Sequence, residues 1–501
     1  MYPYNFIHHY FNPDIVDTKP ESVFARLEID KRSGLKTGNI PHDVYSDITG
    51  FEMDFSKTAA ENTDLILSKI EDFSGQDKSH CLGLFMEYAF KKDNYTFVID
   101  SYHIIKDETK HAEFPFEPRI YYYAASAMLA NDLFSEAVGV VELAITHNPE
   151  NKFLFLSLKG QVLRAAGKLW LAADSFVEAV HSNCKYPEPY WALYFLPNKL
   201  NQNKCRDIYN EIKKYADENA PDNFYMMLSE LAHHAGYPID ANKLLRIQMR
   251  KKANKKARLV GGRVMSAPIK EPDFIIIGMP KCGTTSLHEC LCARDDIIEA
   301  TSKEIAFFNM RYERGIDWYR SAFPHVIGSN GVRLLTGEAT PGYIYSESAL
   351  VRIRKDVQHA KLIVVVRDPV LRTISAYYQH KKMNGLNMPI KDFVSSHLAL
   401  GDKSDFLRCS IYLNHVKPWM DAFGESRVLL VDADSLFSGR EELQKVVNFL
   451  SLRDSKASEL PHANKGSYPL PESSILQELS QFYQPYNEKF YSFAGRNFGW
   501  L

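Results

Sequence analysis

At 501 residues the chain exceeds what one ordinary core holds, so two or three domains are expected. It is 45% hydrophobic and 24% charged with a formal net charge of −2, an ordinary globular balance. That balance excludes a nucleic-acid coat or a membrane-surface protein, and any site for a polyanion must therefore be local.

The opening residues, MYPYNFIHHYFNPD, carry no basic run and no long apolar run, which reads against a secretory signal. No stretch approaches ~18 consecutive apolar residues, so no membrane span is expected and the chain reads as cytoplasmic. The seven cysteines are odd in number and scattered, with no paired C-x-x-C and no matching histidine pair. Free thiols in a reducing compartment are expected rather than zinc.

Residues 1–60 form an irregular, aromatic-rich segment. From 61 to 258 the pattern is one of paired helices, an all-α domain. Ala125, Ala137 and Ala144 recur 35 residues later as Gly160, Ala172 and Ala179. Small residues at that spacing resemble tetratricopeptide repeats, in which they let the two helices of a hairpin approach closely. A generic helical bundle is the other reading. In both, this half is a docking unit for a protein partner, with no catalytic constellation.

The run RKKANKK opening Arg250–Pro272 fits either a polyanion contact or a solvated helix end, and 259–272 reads as a linker. From 273 to 501 the texture is α/β. Phe274–Gly278, Leu362–Arg367 and Val428–Asp432 are short apolar strands separated by helical segments, which implies a parallel sheet covered on both faces.

FIIIGMPKCGTTSLHECL runs strand, tight loop, helix. Gly278 and Gly283 permit the turn, while Thr284, Thr285 and Ser286 open a helix whose unpaired N–H groups and positive dipole end form an anion site. The loop is not a Walker A, because Lys281 precedes Gly283 and Thr284 stands where that motif has its lysine. In VVVRDPVLRTISAYYQH, Arg367 ends a buried strand and Asp368–Pro369 suit a helix start. Ser375 follows eight residues after Arg367. An arginine at a carboxyl strand end, with a hydroxyl from the next helix, can clamp a phosphate. Arg367 also stands where a Mg²⁺ site would want carboxylates.

PKCGTTSL resembles the 5′-phosphosulfate loop of sulfotransferases, and R-D-P-x-x-R-x-x-S-x-Y resembles their 3′-phosphate segment. SKEIAFFN with GIDWYRSAFP, GEATPGYIY, ANKGSY and the C-terminal FYQPYNEKFYSFAGRNFGW then fall in line with the heparan sulfate sulfotransferase group. Within it, EIxFFN, GIDWY and YYQH are most similar to the N-sulfotransferase domain.

The resemblance implies a P-loop-like α/β fold and 3′-phosphoadenosine 5′-phosphosulfate (PAPS) as sulfuryl donor, with no metal. It implies that Lys281, Cys282, Gly283, Thr284, Thr285 and Ser286 hold the phosphosulfate and that Arg367 and Ser375 hold the 3′-phosphate. Lys465, Gly466, Ser467 and Tyr468 would close over the nucleotide. Glu304 would be the general base, Lys281 would stabilise the leaving group, and His380 would act as a second acid/base or acceptor contact.

A carbohydrate acceptor is implied, with hydroxyl and amine both open. Protein tyrosine, a small metabolite, or a nucleotide-binding scaffold without turnover remain alternatives. Departures from the group stand at Ala306, where 3-O-sulfotransferases have histidine, and at Ala339, where several relatives have lysine. The loop GSYPLPESS also lacks the group's disulfide hairpin.

Overall fold

A computed structural model describes residues 58–69, 75–91, 94–108, 116–217, 220–221, 224–266, 269, 271–384, 388–439, 441–452 and 471–500. Lys465, Gly466, Ser467 and Tyr468, assigned above to the nucleotide, lie outside these residues. Among the described residues the chain divides into two compact units, one ending at Ala241 and one beginning at Asn242.

The first unit is helical. Within it α1 (Pro118–Ala130), α2 (Phe134–His147), α3 (Lys152–Ala165) and α4 (Leu169–Ser182) follow one another with short connections. Ala125, Ala137, Ala144, Ala172 and Ala179 are all fully buried, so the small residues sit where helices meet. A Cβ added to Gly160 would lie 2.4 Å from the Phe176 ring, and α3 can approach α4 this closely only because that position lacks a side chain. Pro149 opens a one-turn 3₁₀ segment, Pro149–Asn151, between α2 and α3.

The second unit is α/β. α5 (Pro238–Leu259) enters it from Asn242 onward and packs Ala253 and Ala257 against Ile298, Val326 and Leu334. Two lysines of its basic run are engaged within this unit. Lys252 Nζ lies 3.2 Å from a Glu299 carboxylate oxygen, and Lys256 Nζ donates to the Arg294 carbonyl at 2.6 Å. Inside the stretch read as a linker, β1 (Arg263–Val264) pairs antiparallel with β4 (Val326–Ile327).

The main sheet has five parallel strands in the order β3-β5-β2-β6-β7, with β2 (Phe274–Gly278) at the centre. β6 (Lys361–Val366) and β7 (Val428–Asp432) lie on one side, β5 (Leu335–Ala339) and β3 (Ile297–Glu299) on the other. All five residues of β2 are buried, as expected of a strand covered on both faces. The sheet is thus the parallel α/β architecture that the apolar runs imply. β5 escapes that reading because its sequence, LTGEA, is no apolar run, yet Thr336, Gly337, Glu338 and Ala339 are all buried.

Candidate active site

Three loops leave the carboxyl ends of β3, β2 and β6, the edge at which parallel α/β sheets gather ligands. The loop after β2 runs from Met279 to Gly283 and delivers the chain into α6 (Thr284–Ala293). Met279 N–H donates to the Val365 carbonyl of β6 at 2.8 Å, which ties the loop to its neighbour strand. Lys281 and Gly283 both adopt left-handed backbone, with φ of 70° and 84°. At Gly283 an added Cβ would lie 2.7 Å from the Phe437 ring, so glycine is required by conformation and by space. Thr284 and Ser286 are buried at the start of α6, while Lys281 and Thr285 are half-buried.

Cys282 turns inward. Its Sγ lies 3.7 Å from the Tyr412 hydroxyl, and its N–H donates to the Met279 carbonyl at 3.3 Å. Burial pushes the thiol up to about 11, so it is no nucleophile, and its amide is committed to the turn.

The loop after β6 starts at Arg367. Asp368 accepts from the Val370 N–H at 2.7 Å and caps α7 (Pro369–Asn384) as the sequence implies. Burial raises the Asp368 carboxyl above its ordinary range. The half-buried Arg367 guanidinium lies 4.0 Å from Asp434, and its carbonyl accepts from the Tyr412 hydroxyl at 2.7 Å. Tyr412 therefore touches both loops. Ser375, on α7, is 9% exposed.

Arg372 links the same two loops a second time. Fully buried, it donates from Nε to the Pro280 carbonyl at 3.3 Å and from Nη1 to Ser410 Oγ at 3.2 Å. Neither Arg372 nor Tyr412 is among the site residues that the sequence predicts. The second arginine of R-D-P-x-x-R was the available signal for the first, and Tyr412, distant in sequence, had none.

The third loop, which follows β3, carries Glu304. Its carboxylate lies 3.1 Å from Lys303 Nζ and is largely buried. The Ala339 N–H, at the end of β5, donates to the Lys303 carbonyl at 3.0 Å, and Ile276 of β2 registers with Ala339. The segment with Glu304 thus lies at the carboxyl end of β5, beside the loop of Lys281.

Just below it, Glu338 is fully buried. It accepts from Thr340 Oγ1 at 2.5 Å, the Tyr319 hydroxyl at 2.9 Å, the Tyr343 hydroxyl at 3.0 Å and the Ile305 N–H at 3.4 Å. Burial pushes its carboxyl up to about 7, against the pull of those four donors. Nothing in the sequence GEATPGYIY marks Glu338 for a role. A lone acidic residue in a short strand reads as surface until the strand is known to be interior.

His380 sits half-buried on α7, its ring 6.4 Å from that of Phe393. It faces His397 and contributes, after burial, to lowering that imidazole below its ordinary range. Among the described residues no cluster of His, Cys, Asp or Glu is arranged to hold a metal ion.

A sulfotransferase-domain family pattern matches residues 271–465. Among curated relatives, heparan sulfate glucosamine 3-O-sulfotransferase 3B1 of Mus musculus is 33% identical over 257 residues, covering 46% of this chain and 65% of the relative. Heparan sulfate glucosamine 3-O-sulfotransferase 6 of Mus musculus is 32% identical over 274 residues, 48% of this chain and 78% of the relative. A sulfotransferase from Alicyclobacillus acidocaldarius superposes with a TM-score of 0.38 at 22% identity, covering 46% of this chain and 97% of that one.

The chain belongs to the sulfotransferase family that includes the heparan sulfate glucosamine 3-O-sulfotransferases. It spans just under two thirds of the 3B1 and 3A1 relatives, 65% and 64% of their lengths. These relatives are named for 3-O-sulfation, whereas the motifs resembled the N-sulfotransferase domain.

The cytoplasmic expectation is corrected at this point. It rested on the lack of a long apolar segment, but the heparan sulfate sulfotransferase relatives are Golgi lumenal enzymes. Among the described residues no helix is long and apolar enough to cross a membrane, and that fact does not set the compartment.

Proposed function

We propose that this chain transfers a sulfuryl group from PAPS to a hydroxyl of a glucosamine-containing, heparan-type polysaccharide. One observation carries the reading: Lys281, Glu304 and Arg367 stand on the loops that follow β2, β3 and β6 of one parallel sheet, with the Glu304 segment bonded at Lys303 to the end of β5, the neighbour of β2. The residues present suit a phosphosulfate. Gly283, in left-handed backbone, turns the chain into the N-terminus of α6, and the cations Lys281 and Arg367 stand on that loop and on the loop of the adjacent strand β6.

When bound, PAPS supplies an electrophilic sulfur and a good leaving phosphate. The chain's own groups then do the rest. Lys281 and the N–H groups at the start of α6 hold and neutralise the 5′-phosphate, with Thr284, Thr285 and Ser286 lending hydroxyls. Arg367 and Ser375 hold the 3′-phosphate. Lys465, Gly466, Ser467 and Tyr468 are proposed to close over the nucleotide. Cys282 contributes only to the shape of the turn.

Glu304 takes the acceptor proton as the oxygen attacks. His380 is proposed as an acceptor contact. Catalysis on this scheme is positioning and charge stabilisation, with no covalent enzyme intermediate. The hydroxyl is favoured over an amine by the named activity of the relatives, and the acceptor class by the same names. The helical unit, expected from the sequence over residues 61–258 and ending in the structure at Ala241, is assigned to recruiting a protein partner.

The test is transfer of labelled sulfate from PAPS to heparan sulfate, run with calorimetric titration of adenosine 3′,5′-bisphosphate and ATP. Transfer, with the bisphosphate bound far more tightly than ATP and without Mg²⁺, is expected. Preference for ATP, or dependence on Mg²⁺, refutes the donor assignment.

A further inference from the structure

We infer that Glu338, as a carboxylate, is the positioning residue for the base Glu304. The inference rests on the proposed role of Glu304 as that base.

The four backbone N–H groups that follow Glu304 all end in one small network. Ile305 N–H donates directly to Glu338 Oε2 at 3.4 Å. Ala306 N–H donates to Thr340 Oγ1 at 3.1 Å. Phe307 and Phe308 N–H both donate to the Tyr343 hydroxyl, at 2.9 and 3.4 Å. The Thr340 and Tyr343 hydroxyls therefore already accept, and each has one hydrogen left. Both direct it to Glu338, at 2.5 and 3.0 Å, and Tyr319 adds a third hydroxyl at 2.9 Å.

Every partner of Glu338 is thus a donor, and only an ionised carboxylate satisfies all of them. A protonated acid or an amide at this site brings a hydrogen of its own. A hydroxyl would then have to swing away, and a backbone N–H of the Glu304 segment would lose its acceptor.

The segment needs this hold. Ala306 adopts left-handed backbone at φ 52°, which a residue with a Cβ keeps only when its surroundings impose it. On the other side of Glu304, the Lys303 carbonyl accepts from Ala339 at 3.0 Å. Glu304 is bracketed by bonds to the end of β5 on both sides. Loss of the bracket displaces the base and leaves the loop of Lys281 untouched.

The groups facing Glu338 are Tyr319, Tyr343, Thr340 and the Ile305 N–H, with Glu271 acting on the same cluster through Tyr319. With its carboxyl pushed up to about 7, the ionised form is lost as pH falls through neutrality. An acid limb near that pH should therefore appear in turnover.

The experiment compares Glu338→Gln, Tyr343→Phe, Thr340→Val, Glu304→Gln and the double variant Glu304→Gln/Glu338→Gln. Each is assayed in the full chain with PAPS and heparan sulfate. Glu338→Gln should lower kcat roughly 10- to 100-fold, the scale of a base misplaced by about an ångström. Acceptor KM and affinity for adenosine 3′,5′-bisphosphate should stay within about twofold, and the acid limb near neutrality should vanish. Tyr343→Phe and Thr340→Val, each deleting one hydroxyl, should lower kcat in the same sense. They carry the test if Glu338→Gln does not fold.

In the Glu304→Gln background, Glu338→Gln should cost nothing further, because a positioning residue has no effect without the group it positions. Normal turnover with an unchanged acid limb overturns the inference. So do additive losses in the double variant, or a loss of kcat matched by weakened nucleotide binding. Normal transfer by Glu304→Gln alone would instead remove the base assignment itself, and that outcome is distinct from the others.

Discussion

Replacing Gly283 with alanine tests the loop after β2 without touching a charged group. Two costs follow from the structure. The backbone at φ 84° is one that an L-residue with a Cβ enters at about 1–2 kcal/mol. The new methyl would also lie 2.7 Å from the Phe437 ring, and relieving such an overlap typically costs about 1–3 kcal/mol. Together they predict a loss of several kcal/mol, on the order of 10 °C in melting temperature for a unit of this size.

The assay is thermal unfolding of the full chain with and without adenosine 3′,5′-bisphosphate. The transition that rises with ligand reports the sheet unit. Affinity should fall together with stability, because the same loop forms the cradle. The Phe437→Ala background separates the two costs. There the overlap is gone, and Gly283→Ala should cost only the backbone share of about 1–2 kcal/mol. A Gly283→Ala protein that melts and binds like the wild type refutes the account of the loop. An equal cost in both backgrounds refutes the role of Phe437.

Further outcomes follow from the same geometry. Lys281→Ala should lower turnover by roughly 10²–10³ with the melting temperature unchanged, as expected for loss of one stabilising donor, and near-normal turnover would contradict its role. Arg367→Ala should weaken adenosine 3′,5′-bisphosphate far more than adenosine 5′-phosphate, which calorimetry reads directly; equal weakening would detach Arg367 from the 3′-phosphate.

Glu338 makes a stability prediction as well as a kinetic one. Its folded-state carboxyl at about 7 lies above the unfolded value of 4.5, so the folded chain holds the proton longer. That contribution is fully present below about pH 4.5 and is lost as pH rises to about 7, on the order of 3 kcal/mol in all. The stability gap between wild type and Glu338→Gln should shift across this window, and a pH-independent gap would contradict the burial argument.

Local sequence determined much of this molecule. FIIIG, LIVVV and VLLVD become strands because a strand covered on both faces must be apolar throughout. Asp368–Pro369 starts a helix because it supplies a cap and a fixed φ, and the loop glycines mark turns because little else tolerates their backbone. The phosphate-holding halves of the candidate site were legible for that reason: each is one contiguous stretch whose chemistry is local.

Tertiary structure alone decided the rest. β5 hides a carboxylate in its interior, and nothing in LTGEA says so, because burial of Glu338 is tolerable only where hydroxyls and an N–H from 305, 319, 340 and 343 converge. Arg372 and Tyr412 bind the two phosphate loops together across 92 and 45 residues of sequence. The order β3-β5-β2-β6-β7 is equally invisible along the chain, and it is this order that brings Lys281, Glu304 and Arg367 to neighbouring strand ends. Such placements depend on which surfaces meet after the sheet has formed. A local pattern specifies an element and its buried face, and the packing of all the elements selects the partner of that face.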